Sequence, residues 1–146
     1  MKGANIEIVD KMKILGTIVK TNLSWDDNCD NLIKKVNALM QLLRGVQSFG
    51  ATKIEMVHLW AIFCRSVLEQ SSVVWNSSLT KKNEREMERV QKIAVRLIMG
   101  DQTEYKESLN VLKLTTQKER RNLLTVTFAK KNFGKRKNKK HICKKY

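Results

Sequence analysis

Apolar residues recur at two different periods along the chain. Over the first twenty residues they alternate. "NIEIV" and "KILGTIV" set Ile6 and Ile8, then Ile14, Thr17 and Val19, in short β-prone runs separated by "DKM". That alternation predicts a hairpin or two edge strands. Two strands alone are marginal in water, so they need helices or another surface to lie on.

From Trp25 onward the period lengthens to that of a helix. Trp25, Cys29, Leu32, Ile33, Val36, Leu39, Met40 and Leu43 share one face, with Ser24 and Asp27 in the pattern of a capping box at the start. A second helix follows "SFGA", with Thr52 as its N-cap and Glu55 closing another capping box. Ile54, Met56, Val57, Leu59, Trp60, Ala61, Phe63, Cys64, Val67 and Leu68 cover most of its circumference. Such a helix is expected at the centre of a bundle, with Trp60 buried and His58 on the narrow polar strip. "SSVVWNSS" reads as an apolar connector carrying Val73, Val74 and Trp75.

The third helix, "TKKNEREMERVQKIAVRLIMG", is capped by Thr80 and ends at Gly100. At about 100° per residue, Lys81, Lys82, Arg85, Arg89, Lys92 and Arg96 fall within an arc of roughly 100°. Met87, Val90, Ile93, Ala94, Leu97 and Ile98 form the expected core face beside it. A short helix, "TEYKESLNVL", and a last one opening at Thr116 with Glu119 complete the body. Leu123, Leu124 and Phe128 make a weaker apolar face on the last helix, and Arg120 and Arg121 add charge near its start. The fold expected is mostly α: a small bundle of about four to five helices, a short N-terminal β-hairpin over 1–20, a helical domain over 24–134 and a disordered basic tail over 135–146.

Charge sharpens the functional reading. The chain of 146 residues carries 29 basic and 14 acidic side chains, a formal +15. Nine of the basic residues lie between Lys130 and Tyr146, among them Lys135, Arg136 and Lys137. A polyanion is the natural partner, because neutralising phosphates releases condensed counterions. The stripe on the third helix, with Arg120, Arg121 and the tail, is the expected contact to an RNA or DNA backbone. A solvated charged face is the plain alternative for any such helix.

Catalytic chemistry has little to work with. The pair Asp26-Asp27 after Trp25 resembles a polymerase metal site. Yet it falls in a first helical turn, where carboxylates are favoured by unpaired N–H groups and the helix dipole, and the two residues point about 100° apart. Cys29, Cys64 and Cys143 stand far apart with no Cys-x-x-Cys, and His141 with Cys143 offers two ligands where a closed zinc site needs four. No cofactor, metal or small-molecule substrate is expected. No apolar run approaches a membrane span, and a nuclear or cytoplasmic location is the default.

The ordered series "KILGTIV…NLSW", "LIKKVNALMQLLR", "FCRSVLEQSSVVWNSSLT", "MERVQKIAVRLIMG" and "SLNVLKLTTQKERRNLL" resembles the C-terminal part of reverse transcriptases encoded by non-LTR (LINE-like, jockey-type) retrotransposons. The likeness runs from about Lys13 to Lys131. Ile14 stands where that family carries an aromatic, and Gln70 where it carries a tyrosine. The resemblance implies that Lys13 to Gly16 end a palm strand and that the helices form a thumb. It also implies that the catalytic palm lies upstream of Met1, so that the chain is a truncated, non-catalytic fragment of an RNA-directed DNA polymerase. A free-standing helical interaction protein, its basic tail serving an acidic partner or nuclear localisation, is the alternative.

Overall fold

The structure, a computed structural model, describes residues 9–139, with side chains described as far as Phe133. The protein is mostly α, with one antiparallel hairpin at the N-terminal end. Strand β1 (Lys11–Ile14) pairs with β2 (Thr17–Lys20), and Ile14 lies opposite Thr17. The turn is Leu15-Gly16, both at positive φ (48° and 87°), as a two-residue hairpin loop of the twist-compatible type requires. This corrects the sequence reading. Both strands come from the second run, "KILGTIV" and its lead-in, and the turn sits inside that run, not at "DKM". "NIEIV" lies outside the described residues except for Val9.

Helix α1 (Asp26–Ser48) buries Cys29, Leu32, Val36, Met40 and Leu43 along one seam, with Trp25 just ahead of it. Its start differs from the expected capping box. The helix begins at Asp26, and Trp25 occupies the cap without a side-chain cap bond, while the Ser24 hydroxyl donates to Asp26 Oδ2 at 2.7 Å. The other caps form as read. Thr52 and Glu55 make a reciprocal box, Thr80 accepts from the Asn83 N–H at 3.2 Å, and Thr116 with Glu119 exchange bonds at 3.1 and 3.2 Å. Gly100 ends α5 at φ 90°.

Helix α2 (Lys53–Leu59) continues through a π-helical stretch (Trp60–Arg65) into α3 (Ser66–Leu68). The expectation of a central helix is not met. Met56, Trp60, Cys64 and Leu68 are buried, but Ile54, Ile62 and Phe63 are exposed. The buried residues are spaced strictly four apart, which advances roughly 40° per step on an α-helix. The wider turn of the π stretch, with its i→i+5 bonding, offsets that drift and keeps the row on the core. Val57 and Val67 pack against the edge of the core, while Ile54, Ile62 and Phe63 are left facing out, Phe63 beside Leu42 and Val46 of α1. Here the chain has more apolar positions than the bundle has interior.

After α4 (Ser72–Trp75) and a 3-10 turn (Asn76–Ser78), α5 (Lys81–Met99) packs along α1, and α6 (Tyr105–Val111) and α7 (Gln117–Lys139) cover its far side. Taking the α2–π–α3 run and the α4–3-10 run as one helix each, the described residues form six helices. Trp75, Met87, Val90, Ala94 and Ile98 complete the core. Ile93, expected inside, is partly exposed, while Asn83, Gln91 and Val95 are buried. The buried arc of α5 is thus turned toward α6 and α7. Helix α7 also departs from its reading: Leu123 and Phe128 are exposed, and its fully buried residues are Gln117 and Arg121. It runs through Gly134 to Lys139, beyond the boundary set by composition. The tail from residue 140 lies outside the described residues.

Candidate nucleic-acid interface

The α5 stripe forms because the helix is packed on every side but one. Its buried arc faces α1, α2, α6 and α7. Lys81, Lys82, Arg85, Arg89, Lys92 and Arg96, on the remaining side, are all exposed. Two of the three acids of the same helix are engaged by other elements. Glu84 accepts from Lys118 at 3.2 Å, and Glu88 accepts from the Tyr105 hydroxyl and from the Gln117 N–H at 3.0 Å. Glu86 sits 3.7 Å from Arg89, and Asp101 lies 3.2 Å from Arg96, both as solvent-facing pairs. Exposed pairs of this kind contribute little, and a phosphate can replace the carboxylate. Lys92 holds its ammonium 5.2 Å from the centre of the Tyr105 ring, a cation–π contact that steadies its stem.

The two α7 arginines separate. Arg120 donates to Glu69 Oε1 at 3.0 Å, and Arg65 approaches the same oxygen at 3.4 Å. One carboxylate therefore serves two guanidinium groups. Arg121 is fully buried, donates to Asn76 Oδ1 at 3.1 Å and lies over the Trp75 ring at 6.0 Å. Burial lowers its pKa. The expectation that Arg121 contacts a nucleic-acid backbone is corrected: the side chain points into the bundle, because α7 docks through its polar face. Lys135, Arg136 and Lys137 lie on α7 beyond the described side chains, and His141 and Cys143 lie outside the described residues.

Between α5, α6 and α7 runs a polar layer that sequence reading missed. Gln91, fully buried, donates to the Tyr105 hydroxyl at 3.1 Å and to the Thr115 carbonyl at 2.8 Å, and it accepts from Gln117 Nε2 at 2.5 Å. Burial, reinforced by the bond to Glu88, raises the Tyr105 pKa. This layer fixes the orientation of the stripe relative to α6. The signal for it was Gln91 itself, a polar residue between Val90 and Ala94.

Asp26 and Asp27 are held by different partners. Asp27 sits 3.6 Å from Lys11 and 3.3 Å from Lys20, tying the hairpin to α1. Asp26 accepts from Asn83 at 2.8 Å, and hydrogen bonds from Ser24 and then Asn83 hold its carboxyl below the usual carboxylate range. Among the described residues, no helix is long and apolar enough to cross a membrane. The chain matches no protein-family model, no curated protein and no solved structure.

Proposed function

We propose that this chain is a helical module that binds a nucleic-acid backbone without reading its sequence, as the thumb of a non-LTR retrotransposon reverse transcriptase would, and that it carries no polymerase chemistry of its own. One observation supports this reading above the others: six cations stand exposed on a single stripe of α5, while Glu84 and Glu88 at its edge are engaged by Lys118, Tyr105 and the Gln117 N–H. Such a stripe gives affinity through phosphates and no base recognition. Lys118 and Arg120, at the start of α7, extend the basic surface. In this reading polymerisation belongs to a palm, which the resemblance places ahead of the Lys13–Gly16 strand.

The test is salt dependence. Reversing Arg85, Arg89, Lys92 and Arg96 to glutamate in the full chain should weaken duplex binding equally across sequences. Four lost contacts flatten the log–log salt slope by about 3–4 units. An unchanged slope would place the binding on the tail and reduce the stripe to a solvated face.

A helical interaction protein is the second reading, and one feature favours it. Leu42, Val46, Phe49, Ile54, Ile62 and Phe63 expose apolar surface on α1 and its end, α2 and the π-helical stretch, the character of a protein-contact face.

A further inference from the structure

The distal end of the stripe does not simply run out onto the surface. Lys92 and Arg96 form one wall of a small cavity of about 170 Å³ where α5 turns back toward α6, and Thr103, Tyr105 and Ser108 form the other, with Val95 at its apolar side. At about 30 Å³ per water, this space holds five or six waters. That is room for one phosphoryl group with part of a sugar.

The polar groups of the cavity are arranged as donors. Ser108, almost fully buried, donates to Thr103 Oγ1 at 3.1 Å. Thr103 thus accepts from behind and keeps its own hydroxyl proton for the cavity. The Tyr105 hydroxyl is engaged inward with Glu88 and Gln91. Its ring supports the Lys92 ammonium from one side and leaves the ammonium donors free to turn outward. Arg96 contributes a guanidinium whose present partner, Asp101, is an exposed carboxylate, with relative exposures of 70% and 83% for the two side chains. Two cations and a hydroxyl donor around a small, half-open recess are the chemistry of a dianionic oxygen cluster, which takes charge-assisted bonds from several directions at once.

We propose that this cavity, formed by Lys92, Arg96 and Thr103, captures the terminal phosphomonoester of a nucleic-acid strand whose backbone lies along the α5 stripe. The proposal rests on the backbone-binding reading above. An internal diester bears one charge and must continue on both sides. A terminal monoester bears close to two charges near neutral pH, which matches the two cations of the recess.

The experiment measures binding of the full chain to one oligonucleotide in three forms: 5′-phosphorylated, 3′-phosphorylated, and with hydroxyls at both ends. A phosphorylated end should bind about tenfold more tightly than the hydroxyl form, the worth of one or two charge-assisted hydrogen bonds. Thr103→Val, which keeps the shape, lies off the stripe and removes the hydroxyl, should abolish that preference while leaving hydroxyl-form affinity unchanged. Inorganic phosphate titrated alone separates the sources: it should bind far more weakly than the phosphorylated oligonucleotide. Equal binding of all three forms, or a preference that survives Thr103→Val, would overturn the pocket while leaving the stripe intact. Inorganic phosphate binding as tightly as the oligonucleotide would overturn a strand end as the ligand. Loss of binding to every form would overturn the stripe and the pocket together.

Discussion

Gln70 clasps the hairpin turn: its Nε2 donates to the Leu15 carbonyl at 3.0 Å, and it lies so close to Gly16 that a Cβ there would meet it at 2.5 Å. The bond links the C-terminal end of α3 to a turn far away in sequence. Two neighbours strengthen the docking. Thr17 Oγ1 donates to Ser71 Oγ at 2.8 Å, and the Ile18 N–H donates to Asn28 Oδ1 at 3.0 Å. Gly16→Ala adds a left-handed backbone penalty of about 1–2 kcal/mol and pushes Gln70 away. Gln70→Ala alone should cost about 1 kcal/mol for the bond. Urea denaturation of both singles and the double should show the pair costing less than the sum, because each change breaks the same contact. Strict additivity would mean that the clasp does not hold the hairpin.

Trp60 is fully buried on the row Met56, Trp60, Cys64, Leu68, so Trp60→Ala should cost about 3–5 kcal/mol. Its indole N–H meets no hydrogen-bond partner among the described residues. Trp60→Phe keeps most of the ring and removes a buried donor with no partner, so it should cost distinctly less. The two melting midpoints decide this. Equal losses would mean that the indole edge is doing more than filling space.

Arg121 and Arg120 should part company when each is mutated. Removing the buried Arg121 side chain opens a cavity beside Trp75 and leaves Asn76 Oδ1 without its donor, a loss of about 2–3 kcal/mol in Arg121→Ala. Arg121→Met refills much of the volume and removes a desolvated cation, one of whose amino nitrogens finds no partner among the described residues, so it should be tolerated better than alanine. Arg120→Ala, at a half-buried site, should affect stability less and nucleic-acid affinity more. A loss of affinity in Arg121→Met at intact stability would return Arg121 to the interface.

What could be read in the sequence follows from how local each feature is. The caps at Thr52, Thr80 and Thr116 depend on residues three apart, and they formed as the pattern requires. The α1 seam and the exposed α5 stripe follow from helical periodicity alone. The hairpin turn was misplaced because Leu15, an apolar residue, takes a positive φ that its side chain does not advertise; Gly16 was the visible signal. The exposed half of α2 was misread because periodicity counts apolar residues and cannot tell whether a neighbour exists to cover them. Arg121 and Gln91 were missed for the converse reason. A buried polar residue is licensed by partners distant in sequence, here Asn76, Tyr105 and Gln117, which no local pattern reveals.

The buried thiols should set an alkaline limit on stability. Burial pushes Cys29 up to about 12, with Asp26 adding to the shift, and burial pushes Cys64 up to about 11. An unfolded thiol ionises near pH 8.5. Below that value both states hold the thiol protons, and the contribution is fully present. Above it the unfolded chain releases protons that the folded chain retains, so stability falls as pH rises toward 11–12, by at most about 1.4 kcal/mol per pH unit for each thiol. Tyr105, raised by burial and by Glu88, adds the same sign above about pH 10. Urea midpoints from pH 7 to 10.5 should therefore decline, and the paired Cys29→Ala and Cys64→Ala variant, though weaker at neutral pH, should decline less steeply. The same burial predicts that an aromatic disulfide reagent at pH 8 reaches Cys29 and Cys64 only after denaturant is added. Rapid labelling of both in the native protein, or parallel pH slopes for the two chains, would show that these thiols are not sealed in the core.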